Sequence, residues 1–127
     1  MRILFVVVLI VNLLTEALAA TTLIGGPEGI AAAGKGGMWS MHYGFAALAI
    51  ASASLWVWPY RTNLQVVTAV LGVLCTFHVG LFISLTLAGD QQVGQIIHAV
   101  MAVLCVGLFT QRARWCKDVA GAVRVTR

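Results

Sequence analysis

Charge is what this sequence has least of. Of its 127 residues 9% are Asp, Glu, Lys or Arg, and only four are acidic. A water-soluble domain carries about 25% charged residues. A chain that is 61% hydrophobic, with mean hydropathy +0.97, would expose more apolar surface than water tolerates. The soluble globular class is therefore excluded, and the expected solvent is lipid. Proline is also scarce, with only Pro27 and Pro59, so long helical runs go uninterrupted. The apolar runs lack the alternation of a membrane β-barrel. The three cysteines, Cys75, Cys105 and Cys116, form no CxxC and suggest no disulfide framework. No nucleic-acid-reading fold is recognisable, and neither HExxH nor a nucleophile elbow occurs. The Gly-rich stretch GGPEGIAAAGKGG, residues 25–37, is not a phosphate loop, because Gly36 follows Lys35 where Ser or Thr is needed and no strand precedes it.

What remains is four apolar stretches, Ile3–Ile24, Met38–Trp58, Leu64–Ala88 and Val93–Thr110. Each approaches the ~20 residues needed to cross a ~30 Å hydrocarbon core. Backbone in lipid must satisfy its own hydrogen bonds, so each is expected to be a helix. The sequence predicts an all-α, integral membrane four-helix bundle in which residues 1–127 form a single transmembrane domain. Arg2, Arg61, Arg112, Arg114, Lys117, Arg124 and Arg127 fall on one side and only Lys35 on the other. The positive-inside rule then places both termini in the cytoplasm, with a bacterial cytoplasmic (inner) membrane as the expected location. The basic tail, residues 111–127, should lie on anionic lipid. Trp56, Trp58, Tyr60 and Arg61 read as an interfacial belt, with Trp39 and Tyr43 near the opposite interface. Gly89-Asp90-Gln91 reads as a tight hairpin with Asp90 as N-cap of the fourth helix. Residues 1–19 also carry the pattern of a signal peptide ending in Ala17-Leu18-Ala19. The apolar character resumes through Ile24, which favours a retained helix.

Each of the four stretches carries one ionisable side chain: Glu16, His42, His78 and His98. Counted at 1.5 Å per residue, they lie roughly 12, 5, 15 and 8 Å from the outer surface, all in the outer half. Charged or titratable groups at depth are costly to desolvate, and they mark function by default. Glu16 shares a helical face with Asn12, Ala19 and Ala20. His98 shares one with Gln91, Gly94, Gln95, Ala102 and Cys105. His42 is placed with Met38, Ala46, Ala49 and Ala53 on a small-residue face expected to pack inward. Gly72, Thr76 and Gly80 form a small-xxx-small stripe nearly opposite His78. His78 then faces either the bundle centre or a second subunit.

Three chemistries fit such a cluster. The histidines could ligate a transition metal or haem, with His42, His78 and His98 as ligands and Cys75, Met38 or Met101 as soft donors suited to copper. The ordinary alternative is that Met and Cys are packing residues. Glu16 and His98 could be an acid–base pair acting on a lipid-soluble substrate, as in double-bond isomerisation. Glu16 could also bind proton and cation in competition, which is the basis of proton-coupled transport and would require a homo-oligomer. The ligand-binding set expected from all three is Asn12, Glu16, His42, His78, Gln95 and His98.

The layout, with Gly26-Pro27-Glu28-Gly29 after the first helix and YGFAALAIA in the second, resembles the DoxX-like small membrane proteins. That resemblance implies a four-helix accessory protein, in some members linked to quinone-dependent redox complexes. It would make a quinone or a membrane redox partner relevant here. Separately, LLTEALAATTL around Glu16 is similar to the first helix of small multidrug resistance transporters, whose glutamate binds proton and cationic drug. Only the role of Glu16 carries over, because the second helix lacks that family's aromatic pattern.

Overall fold

The computed structural model describes residues 1–27, 39–89 and 91–117. Four helices account for most of them: α1 (Arg2–Gly25), α2 (Trp39–Val57), α3 (Leu64–Ala88) and α4 (Gln92–Gln111). All four are long and apolar enough to cross a membrane, and no β-strand occurs among the described residues. The expected all-α, four-helix architecture is thus observed, with boundaries within two residues of those read from composition. Residues 28–38, which include Lys35 and most of the Gly-rich stretch, lie outside the described residues.

The chain divides into two compact units, Leu9–Trp56 and a second made of Met1–Val8 with Val57–Arg127. In the Leu9–Trp56 unit, α2 lies against the body of α1. The contact is built from small residues. Gly44, Ala47, Ala51 and Ser54 are buried on one α2 stripe, and they repeat at i, i+3, i+7 and i+10, as one helical face requires. A Cβ placed on Gly44 would stand 2.7 Å from Ile24 Cγ1 and 3.2 Å from the Ile24 backbone nitrogen. Glycine is needed there because α1 backbone occupies the space. Gly44→Leu is expected to destabilise the protein by about 1–3 kcal/mol through overpacking, while Ala49→Leu, on the exposed face, should be nearly neutral. Unfolding in mixed micelles of mild detergent and dodecyl sulfate would read the difference.

The expected packing face of α2 is corrected by this arrangement. Ala46 and Ala49 are exposed, and so is His42. At ~100° per residue His42 stands about 180° from Ala51. Alanine lines both sides of α2, and the side chosen is the one that also offers Gly44 and Ser54.

In the other unit α3 and α4 form an antiparallel hairpin. Asn63 caps α3, its Oδ1 accepting from the Gln65 and Val66 amides at 3.0 and 3.2 Å. Gly89 ends the helix in the left-handed region at φ 73°, its N–H donating to Leu85 O. Glycine adopts that conformation without the Cβ penalty of other residues. Asp90 lies outside the described residues, and Gln91, not Asp90, occupies the N-cap position of α4, with no side-chain cap. The packed face of α3 is Val67, Leu71, Leu74 and His78, and that of α4 is His98, Met101, Ala102, Cys105 and Leu108. The Gly72–Thr76–Gly80 stripe is not a close-packing seam. A Cβ on Gly72 would make an ordinary 3.9 Å contact with Phe109, and one on Gly80 would meet no described atom within 4 Å. Larger side chains on the other face bury more apolar area and win.

At the far end of this unit, the first turns of α1 meet the segment after α4. Phe5 packs on Trp115 with ring centroids 5.1 Å apart, and Arg2 Nε donates to Trp115 O at 2.7 Å. The start of α1 and the end of α4 therefore share one end of the unit.

Candidate functional site

The centre of the site is a pair of histidines. His78 sits mid-α3 and His98 in the second turn of α4, twenty residues apart across the hairpin. Their Nδ1 atoms are 2.9 Å apart, at hydrogen-bond distance. The rings are tilted by 33° with centroids 5.2 Å apart. His78 is fully buried and His98 is 9% exposed. Phe77 meets both rings edge-on, at 5.3 Å from His78 and 6.0 Å from His98. Leu74 precedes His78 by one turn on the buried α3 face, and Met101 follows His98 on the buried α4 face.

An Nδ1···Nδ1 hydrogen bond fixes the proton arrangement. With both rings neutral, one donates Nδ1–H and keeps a lone pair on Nε2. The other accepts at Nδ1 and carries its proton on Nε2. The pair therefore presents one donor and one acceptor on its outer nitrogens, not two equal groups. A metal changes this. To hold an ion, each imidazole would have to turn a ring-nitrogen lone pair toward it, and the bond between the two rings would be given up.

The Leu9–Trp56 unit contributes a second polar group. Asn12 and Glu16 are both buried, one turn apart on the packed face of α1, as their spacing predicts. Asn12 Nδ2 donates to Ser54 Oγ at 3.0 Å and to the Ile50 carbonyl at 3.1 Å. Two apolar helices are thus joined by hydrogen bonds inside their contact, where water does not compete. Tyr43 lies within electrostatic reach of the Glu16 carboxyl.

The remaining expected residues fall elsewhere. Gln95 is half-buried, and its Nε2 donates to Thr86 Oγ1 across the hairpin at 2.8 Å, so it ties α4 to α3. His42 is exposed and stands edge-on to Trp39, centroids 6.3 Å apart, away from the packed face of its helix. Cys75 is half-buried and Cys105 is buried, and both are free thiols. Met38 lies outside the described residues. The sequence reading did not single out Ser54, Phe77 or Tyr43 as site residues. For Ser54 a signal existed, as a hydroxyl on the Gly44–Ala47–Ala51 stripe. For Phe77 there was none, because a phenylalanine in an apolar helix carries no mark.

No protein-family model, curated protein or solved structure matches the chain. The functional reading therefore rests on the site itself.

Proposed function

We propose that this chain is a polytopic membrane protein of the bacterial inner membrane, with both termini cytoplasmic, whose Glu16, His78 and His98 serve one intramembrane site for a small ligand, a quinone or a metal ion. A carboxylate oxygen and imidazole ring nitrogens are both common ligand atoms. By residue count all three belong to the same outer half of the membrane, within ~10 Å in depth.

The observation that carries this reading is the buried His78–His98 pair. Two imidazoles at depth cost desolvation that two leucines would not, and buried polar groups in membrane helices mark ligand and proton pathways. Imidazoles both donate and accept hydrogen bonds, the two roles that a quinone carbonyl and a quinol hydroxyl call for. The resemblance to DoxX-like proteins points the same way, toward a membrane redox partner. Metal binding remains a second form of the same site. It needs both rings neutral with a lone pair from each, so the inter-histidine proton would move to the other nitrogen of its own ring.

The test is an optical spectrum, elemental analysis and solvent extraction for quinone on protein purified in mild detergent without chelator. The expected result is one stoichiometric species, quinone or metal, that is lost in His98→Ala and reduced in Glu16→Gln. If wild type stays empty after reconstitution with quinone, zinc and copper(I) in turn, the ligand reading fails. Proton-coupled transport by a homo-oligomer is then favoured, on the strength of the buried Asn12–Glu16 face.

A further inference from the structure

We propose that the end of the protein bearing the start of α1 and the end of α4 holds the phosphate of an anionic phospholipid, clamped by Arg2 and Arg112. The inference rests on the helices crossing a membrane and is independent of the histidine pair.

Five observations meet there. Arg112 is held rigidly: its Nε donates to Thr68 Oγ1 at 2.8 Å, its Nη1 donates to Phe109 O at 2.6 Å, and its guanidinium lies over the Phe109 ring at 4.0 Å. Arg2 is held by its Nε on Trp115 O at 2.7 Å, and its two Nη groups have no acceptor among the described residues. Both guanidinium charges act on the Cys116 thiol, which burial pushes up and the two arginines pull back, so the two arginines flank one residue. Trp115 Nε1 is a buried N–H donor with no acceptor among the described residues. The segment that carries these groups is pinned: Lys117 N donates to Thr62 O at 2.7 Å, and Leu64 N donates to Lys117 O at 3.1 Å.

Two cations fixed by their Nε atoms, with terminal N–H groups left over, form a fork suited to phosphate oxygens. An unpaired buried N–H beside them is a donor that wants an oxygen. No carboxylate neutralises them among the described residues. The nearest in sequence, Asp118, lies outside those residues. A basic cluster at the end of membrane helices is where an anionic lipid phosphate resides. Exposed Trp56, Trp58 and Tyr60, on the same side by sequence, mark that depth.

The experiment measures the thermal unfolding midpoint of the full chain in delipidated micelles of mild detergent. Three additions are compared: dioleoyl phosphatidylglycerol, dioleoyl phosphatidylcholine and inorganic phosphate. Phosphatidylglycerol is expected to raise the midpoint by about 5 °C, and phosphatidylcholine is expected to leave it unchanged. The rise should disappear in Arg2→Gln and Arg112→Gln, shrink in Trp115→Phe, and persist in Arg114→Gln, whose side chain is exposed. If Arg112→Gln does not fold, Arg2→Gln carries the test, because Arg2 is exposed and its replacement removes one hydrogen bond, to Trp115 O. Loss of the rise in Arg114→Gln equal to that in Arg2→Gln would reduce the effect to diffuse charge and overturn the site. An equal rise with inorganic phosphate would overturn the lipid assignment. Asp118→Asn should leave the lipid-free midpoint unchanged; a fall would make Asp118 the partner of the arginines and overturn the proposal.

Discussion

His98→Leu is expected to lower stability by about 1–2 kcal/mol and to abolish ligand binding, and His78→Leu should do the same. The stability loss comes from what is left behind. Each single variant keeps one buried imidazole whose Nδ1 has lost its 2.9 Å partner, and an unsatisfied buried polar group costs about 1–3 kcal/mol. Hydrogen bonds between membrane helices are individually modest, averaging about 0.6 kcal/mol in double-mutant cycles, so the lower part of that range is expected. The double variant His78→Leu/His98→Leu loses the bond between the rings without leaving either imidazole behind, and buries two apolar side chains between α3 and α4. It should be clearly more stable than the sum of the singles predicts, with a coupling of about 1 kcal/mol. Ligand binding should nevertheless be gone in all three. Stability thus recovers in part in the double variant while binding does not, as expected for a pair retained for chemistry. Strict additivity of the two stability losses would mean that the rings do not bond one another. Retention of the ligand by the double variant would make the pair a packing device.

The four helices were legible in the sequence because lipid imposes a length. About 20 apolar residues are needed per crossing, and turn residues sit between the runs at Pro59 to Asn63 and at Gly89 to Gln91. The packed face was legible where a polar residue breaks an apolar run. On α1, Asn12 and Glu16 stand one turn apart among Leu and Val, and both are buried. On α4, His98, Ala102 and Cys105 repeat the pattern and are buried too. On α2 the signal was degenerate. Alanine occupies positions 46, 47, 49, 51 and 53, so two opposite faces are equally small. Only Gly44, where α1 backbone comes within 3.2 Å of a would-be Cβ, and Ser54, which receives Asn12, decide between them. His42 fell on the other face. On α3 the small-xxx-small rule pointed the wrong way, because Leu71 and Leu74 outweigh two glycines as packing material. Their burial turns His78 inward beside them. The hydrogen bond that defines the site could not be read from spacing. It depends on how far α4 is rotated relative to α3, which is set by the summed fit of Val67, Leu71, Met101 and Leu108 and leaves no local mark.

Glu16→Gln is the substitution with the second largest expected effect, and it separates the readings that the histidines leave joined. Glutamine keeps the volume and a carbonyl oxygen but cannot ionise. The Asn12 bonds to Ser54 and to the Ile50 carbonyl do not involve it, so α1 and α2 should stay joined and stability should change by less than about 1 kcal/mol. What changes is charge. If the site holds a divalent metal, loss of the carboxylate removes one ligand and one compensating charge, and affinity should fall by about 10–100-fold, while the histidines retain a residual site. If the site holds a quinone by hydrogen bonds to the imidazoles, the fall should be smaller and the extracted quinone should persist. If the chain moves a cation against protons, the same variant should eliminate proton-driven flux in vesicles while still binding the cation weakly, because the exchange requires one group that takes either proton or cation. Titration of metal, extraction of quinone and a vesicle flux assay on this one variant therefore give three distinct patterns. A variant that matches wild type in all three would leave Glu16 as a buried structural carboxyl and confine the site to the two histidines.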